Sequence, residues 1–324
     1  MNKITGKRTG VDGIERKLDD IRDYLVGAVE DKIRTALNNK IATLTGAQRT
    51  IARYIESNLH DLLTADVPKL KQWADHFDRN CPNEFRVKQD GIHWKKTPLG
   101  IAILDAFGFN DYRKSVLVEV ARRLDVKTCP YCNMHYTLYA NEPKKKSMEK
   151  LARFQFDHFF DKAAYPMLSM SFYNLIPSCG VCNQGKSTRT LSLEYNPYYS
   201  DIHDKFHFEL TDPLGPYTAA RVNDEVEVEL VPESGVNKDD FKTYVDIFHL
   251  KALYGRHGDV VQEVFDKAYE DPYYLNPANF NFLSGRGSDY LKRLWLGNYT
   301  KPEEIEKRPL AKFVQDMWKQ AKGI

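Results

Sequence analysis

Two Cys-x-x-Cys pairs, Cys129 with Cys132 and Cys179 with Cys182, bracket the dipeptide Asp157-His158 and Asn174, and Asn183 follows the last cysteine directly. Each pair lets one tight turn present two thiolates to a tetrahedral ion, and four such ligands close a zinc shell with no open position. An ion held that way is structural. Four unrelated buried thiols or a redox pair are the alternatives, and two matched pairs argue against both. His135 could replace one ligand, although the paired cysteines suffice without it. The Asp, His and Asn side chains suit another task. Hydrolysis of a phosphodiester needs a water made nucleophilic and positive charge against the phosphate and the leaving oxygen. A neutral imidazole such as His158 can take the proton near pH 7. Oxygen ligands such as Asp157 and Asn183 can hold the divalent ion that supplies the charge.

Strands and a short helix must deliver these groups. RFQFDHFF reads as a strand ending at Asp157 and His158. Neighbours on a strand point to opposite faces, so both reach one site only if the strand ends and buckles there. MHYTLYA reads as a preceding strand, separated by the polar insert NEPKKKSMEKL. Lys144, Lys145 and Lys146 in that insert are either phosphate-backbone contacts or a solvated loop. Upstream, Ile14, Leu18, Ile21, Leu25, Ala28, Val29, Ile33 and Leu37 recur at steps of three and four, marking an amphipathic helix. It packs on its own domain or, through a near-heptad seam, on a partner. Thr45-Gly46 starts a second helix and Val67-Pro68 a third, residues 80–97 read as an irregular link, and helix resumes over 112–124. After the second cysteine pair, FHFEL and EVEVELV alternate as a β meander over 205–231, with turns at Gly215-Pro216 and Asn223-Asp224. Helices follow from Asp239, and near 259–270, 288–296 and 303–321. The expected class is α+β, mostly helical. Residues 1–125 form a helical region for partner or oligomer contacts, 126–200 the metal-bearing core, and 201–324 the meander with further helices.

The length of 324 residues is ample for one main core. A net charge of +2 excludes a histone-like binder, so nucleic-acid contact must come from local patches. No run of about 18 apolar residues predicts a membrane span, and MNKITGKRTGVDG lacks a signal core. Four of five cysteines in Cys-x-x-Cys pairs then favour metal over disulfides, in a reduced cytoplasm. The leftover Cys81 is expected to be an inert buried thiol.

On these residues the chain resembles the HNH endonuclease family, whose ββα-metal fold sets two strands and a helix around one catalytic ion. The resemblance implies that His158 is the general base and that Asn174 braces the loop carrying it. It makes Asp157 and Asn183 the protein ligands of magnesium or manganese, Asn183 standing where many relatives have His. Lys186, one turn beyond, matches a lysine that often faces phosphate. Many relatives carry Pro three residues after the histidine; this chain has Asp161, as a further metal contact or a solvated carboxylate. FGFNDYRKS, YPMLSMSFYNLIPSC, YNPYYSDIHDKFHFEL and KRPLAKFV resemble bacterial HNH proteins encoded beside large ATPases, among them the HNH subunit of Septu-type antiphage systems and the HNH effector of related retron systems. That implies a phage-defence effector under the control of an ATPase partner. The expected activity is a metal-dependent endonuclease with DNA favoured over RNA as substrate, and the amphipathic arms at 14–37 and 239–321 are candidate contacts for the ATPase or a second copy of the chain. The alternatives are a non-cutting nucleic-acid-binding or adaptor subunit, and an RNase.

Overall fold

In the computed structural model every residue is described except 1–3, 5, 90–92, 145–146, 153, 213–224, 275–287 and 324. The chain is α+β and mostly helical, and each sheet among the described residues is a two-stranded antiparallel pair. The residues divide into two compact units, Ile4–Val126 with Thr137–Ser200, and Lys127–Tyr136 with Asp201–Ile324.

The first unit opens with a hairpin of β1 (Lys7–Thr9) and β2 (Glu15–Lys17), which runs into α1 (Leu18–Thr43). Ile14, placed in the helix by periodicity, is exposed and precedes β2. The helix starts where the Asp20 carboxylate accepts from the Lys17 backbone N–H at 3.0 Å and acidic residues meet the positive end of the dipole. Leu18, Ile21, Leu25, Val29, Ile33, Leu37 and Ile41 are the buried stripe of α1. Each such side chain contributes about 1.5–3 kcal/mol on full burial. The stripe packs on α2 (Gly46–Ser57), α3 (Leu59–Thr64), α5 (Pro98–Phe107) and α7 (Val116–Leu124), so the near-heptad seam serves its own unit. Asp66 caps α4 (Val67–Asn80), accepting from the Lys69 N–H at 2.9 Å.

Residues 80–97 are not simply irregular: β3 (Arg86–Gln89) pairs with β4 (His93–Lys96), a strand pair whose polar residues mask the alternation. The insert NEPKKKSMEKL is itself a hairpin, β5 (Tyr139–Lys144) on β6 (Ser147–Ala152), whereas MHYTLYA enters a strand only at Tyr139. The partner of β7 (Gln155–His158) is therefore β8 (Leu175–Ser178), with Asp157 opposite Ile176 and His158 opposite Leu175. β8 is buried along its whole length and leads into α8 (Gly180–Lys186). Between α5 and α6 (Phe109–Tyr112), Gly108 adopts φ 62°, a left-handed turn that favours glycine. Gly100 permits a close approach, since a Cβ there would collide with the Phe85 carbonyl oxygen.

In the second unit β9 (Phe206–Leu210) pairs with β10 (Val228–Pro232), burying Phe206, Phe208, Leu210, Val228 and Leu230. The expected meander is thus one strand pair among the described residues, and its turn signals at Gly215-Pro216 and Asn223-Asp224 lie outside them. Helices α9 (Lys238–Phe248), α10 (Leu250–Tyr254), α11 (Gly258–Tyr274), α12 (Ser288–Leu296) and α13 (Ala311–Lys322) follow. Side chains of α13 serve the free edge of β9: Asp316 accepts from the Phe208 N–H and Gln320 from the Leu210 N–H, each at 3.0 Å. No helix among the described residues is long and apolar enough to cross a membrane.

Candidate active site and cysteine cluster

β7 ends on Asp157 and His158, which are 2% and 7% exposed. Both line a cavity of about 220 Å³ together with Asn183, Gln155, Phe156, Phe109, Asn110, Arg113, Asp161, Lys162 and Ser187. The imidazole is fixed on two sides. Its Nε2–H donates to the Ser169 carbonyl at 3.0 Å, and the Phe109 ring stands edge-on at 4.5 Å. A carbonyl accepts only, so Nε2 carries the proton and Nδ1 keeps the lone pair. Burial pushes the His158 pKa down to about 3, aided by the positive charges of Lys162 and Lys186. The imidazole is therefore neutral at physiological pH.

Asn174 is fully buried and ties the segment after His158 to the start of β8. Its Oδ1 accepts from the Phe160 N–H at 2.7 Å, while Nδ2 donates to the carbonyls of Phe160 at 3.1 Å and Leu168 at 2.9 Å. The Asn174 carbonyl also accepts from the Phe159 N–H at 3.0 Å. Leu168 adjoins Ser169, so this amide holds the carbonyl that orients His158.

On α8 the half-buried Asn183 donates through Nδ2 to Gln155 Oε1, leaving its own Oδ1 as an acceptor. Lys186, one turn on, does not face phosphate. It is 0% exposed, its Nζ lies 3.2 Å from Asp157 Oδ2, and it donates to the His158 carbonyl at 2.7 Å. Packing over α8 turns this lysine inward as an internal counter-ion. Asp161 is not solvated either; it pairs with Arg86 of β3 at 2.8 Å. Both cavity carboxylates thus face cations of their own. By contrast, Arg113 and Lys162 have no carboxylate within ion-pair distance among the described residues, and Lys162 sits 4.5 Å from the Phe109 ring. Burial lowers the Lys162 pKa, and Lys96 and Arg113 add to the effect. These two cations, with Phe109 and Gln155, escaped the sequence reading, although FGFNDYRKS contains Phe109 and Arg113. Lys144 is placed only as the end of β5, and Lys145 and Lys146 lie outside the described residues.

The four cysteines Cys129, Cys132, Cys179 and Cys182 are buried, and their sulfur atoms all lie within 4.8 Å of one another. Tetrahedral Zn–S bonds of about 2.3 Å would set sulfurs about 3.8 Å apart, so the donor set can hold such a metal ion. The turns are built for sulfur acceptors. Cys179 caps α8, its Sγ accepting from the Cys182 N–H at 3.4 Å, and Cys132 Sγ accepts from the Met134 N–H at 3.4 Å. His135 lies beside the cluster, its Nδ1 3.7 Å from Cys132 Sγ. Around the first turn, the hydroxyls of Tyr244 and Tyr254 donate to the carbonyls of Tyr131 and Cys132. Asn133, fully buried with φ 50°, donates to Thr128 Oγ1 at 3.0 Å and to the Ile305 carbonyl at 2.9 Å. Cys81 is half-buried, and burial raises its thiol pKa, which suppresses the reactive thiolate.

Comparison with family models, with curated proteins and with solved structures finds no match to this chain.

Proposed function

We propose that the chain is a metal-dependent endonuclease of the HNH type, with DNA as its substrate class. The observation that carries this reading is the single cavity shared by Asp157, His158 and Asn183, with the imidazole locked in one tautomer. His158 Nδ1, the ring nitrogen left with a lone pair by the Ser169 contact, accepts the proton of the attacking water. Asp157 and Asn183 are the residues that would hold magnesium or manganese; a carboxylate and an amide oxygen suit a hard cation. When bound, such an ion supplies positive charge to the scissile phosphate and the leaving oxygen. Arg113 and Lys162 draw the phosphate backbone into the cavity, and Asn174 keeps the base in place. The four cysteines hold a structural zinc. The flanking resemblances support a cytoplasmic antiphage effector under the control of an ATPase partner.

The test is plasmid nicking in Mg²⁺ or Mn²⁺, with and without the co-purified partner, comparing wild type with His158→Ala and running RNA in parallel. A folded His158→Ala protein that nicks at the wild-type rate overturns the assignment. One observation favours a second reading, a non-cutting nucleic-acid-binding or adaptor subunit: Lys186 already neutralises Asp157. Calorimetric titration of the DNA-bound chain with Mn²⁺ separates the two, because the adaptor reading expects no binding that depends on Asp157.

A further inference from the structure

The unit formed by Lys127–Tyr136 and Asp201–Ile324 has a cavity of its own, about 280 Å³, lined by Tyr290, Arg293, Leu294, Gly297, Tyr299 and Arg308. Gly297 closes α12 with φ 70°, and its carbonyl accepts from Arg308, which fixes that guanidinium. Arg293 lies 5.3 Å from the Tyr290 ring centroid and 5.1 Å from that of Tyr299; Arg308 lies 5.6 Å from Tyr299. The frame is preformed. Gln315 donates to the Tyr299 carbonyl at 2.9 Å, and the buried Asn298 donates to the Pro309 carbonyl at 2.9 Å. Lys307 and Arg308 open the KRPLAKFV stretch of the sequence.

The charge balance points to an anion. Lys301 is matched by Asp289 at 2.6 Å and Lys307 by Glu304 at 2.8 Å. Arg293 and Arg308 have no carboxylate within ion-pair distance among the described residues. Cation–π contacts at exposed sites are individually weak, too weak by themselves to hold two like charges together in a concavity. Paired guanidinium forks recognise phosphate oxygens bidentately. The neighbouring tyrosines and the 58%-exposed Leu294 offer a flat and apolar flank. The volume is near the low end of ligand pockets, about 300–1,000 Å³, which suits one nucleotide unit rather than a peptide. We propose that this cavity binds a nucleotide, free or within a single strand, its phosphate on Arg293 and Arg308 and its base against Tyr290 and Leu294. The proposal does not depend on nuclease activity.

The experiment uses the full chain in EDTA with 5-bromodeoxyuridine monophosphate, or a short oligothymidylate carrying one bromodeoxyuridine, as photocrosslinking probes. Peptide mapping should find the adduct on Tyr290 or Tyr299, and excess inorganic phosphate should suppress it. Arg293→Ala with Arg308→Ala should weaken probe binding about tenfold or more. Arg293→Lys with Arg308→Lys, which keeps the charge and the fold but loses the forks, should weaken it less. Tyr290→Leu should weaken the nucleotide and leave phosphate competition intact. Stronger labelling by the oligonucleotide assigns the strand as ligand; stronger labelling by the monophosphate assigns the free nucleotide. An adduct confined to other peptides, or labelling unchanged in both arginine pairs, overturns the proposal.

Discussion

Replacing Asn174 by alanine tests how the loop behind His158 is held. The substitution removes the three side-chain hydrogen bonds of a fully buried amide, to the Phe160 N–H and to the carbonyls of Phe160 and Leu168. Each buried group left without its partner costs about 1–3 kcal/mol. Allowing for partial relaxation, the loss should be about 3–5 kcal/mol, a large share of the roughly 5–15 kcal/mol typical of a folded domain. Asn174→Asp is the sharper probe. It keeps the shape and the acceptor for the Phe160 N–H, but it sets a carboxylate oxygen against two carbonyl oxygens. It should therefore destabilise at least as much as alanine. Urea unfolding followed by tryptophan fluorescence measures both, and plasmid nicking without urea reports whether the Ser169 carbonyl still orients His158. Unfolding of Asn174→Ala within about 0.5 kcal/mol of wild type would refute the bracing role; so would an aspartate variant as stable as the parent.

Other expectations follow from the same geometry. The folded His158 pKa of about 3 lies below its ordinary 6.5, so only the unfolded chain takes up this proton between those values. Stability from this residue is complete above pH 6.5 and declines by at most about 1.4 kcal/mol per pH unit as pH falls toward 3; His158→Gln in EDTA should flatten that slope, and an unaltered slope contradicts it. Elemental analysis should find one zinc per chain, lost in Cys129→Ser together with several degrees of melting temperature; purified wild type free of zinc would end the structural-zinc assignment. Arg113→Ala with Lys162→Ala should reduce the slope of log K against log salt for DNA binding by about 1 for each phosphate no longer neutralised, and an identical slope would remove both from the phosphate path.

Legibility from the sequence followed locality. The two cysteine turns and the stretch from Asp157 to Asn183 could be read because short-range spacing sets which side chains share a turn or a strand end. Phe109 and Arg113 could not, since α6 and its C-terminal end reach the cavity only through tertiary packing, and Lys162 sits in a turn after β7 that carries no periodic signal. Lys186 was misplaced for a related reason: whether a helical lysine faces solvent depends on what covers that face, and here the cover turns it onto Asp157. The polar strand pairs β3–β4 and β5–β6 hid because alternation is visible only when one face is apolar. In α1 the apolar period was plain, but its partner was not; α2, α3, α5 and α7 take the face that could have served another chain.

Under the proposed function, the lysine beneath Asp157 would couple two binding events. With Lys186 and Asp157 in contact, that part of the cavity wall is electrically balanced before any divalent ion arrives. An ion entering on Asp157 adds two positive charges to a surface that already carries Arg113 and Lys162. Alone, it is repelled. A phosphate strand lying in the cavity removes that repulsion, and the ion in turn strengthens the strand's hold. By linkage the two affinities would rise by the same factor, so under the proposed function the ion would load when nucleic acid is present rather than in advance.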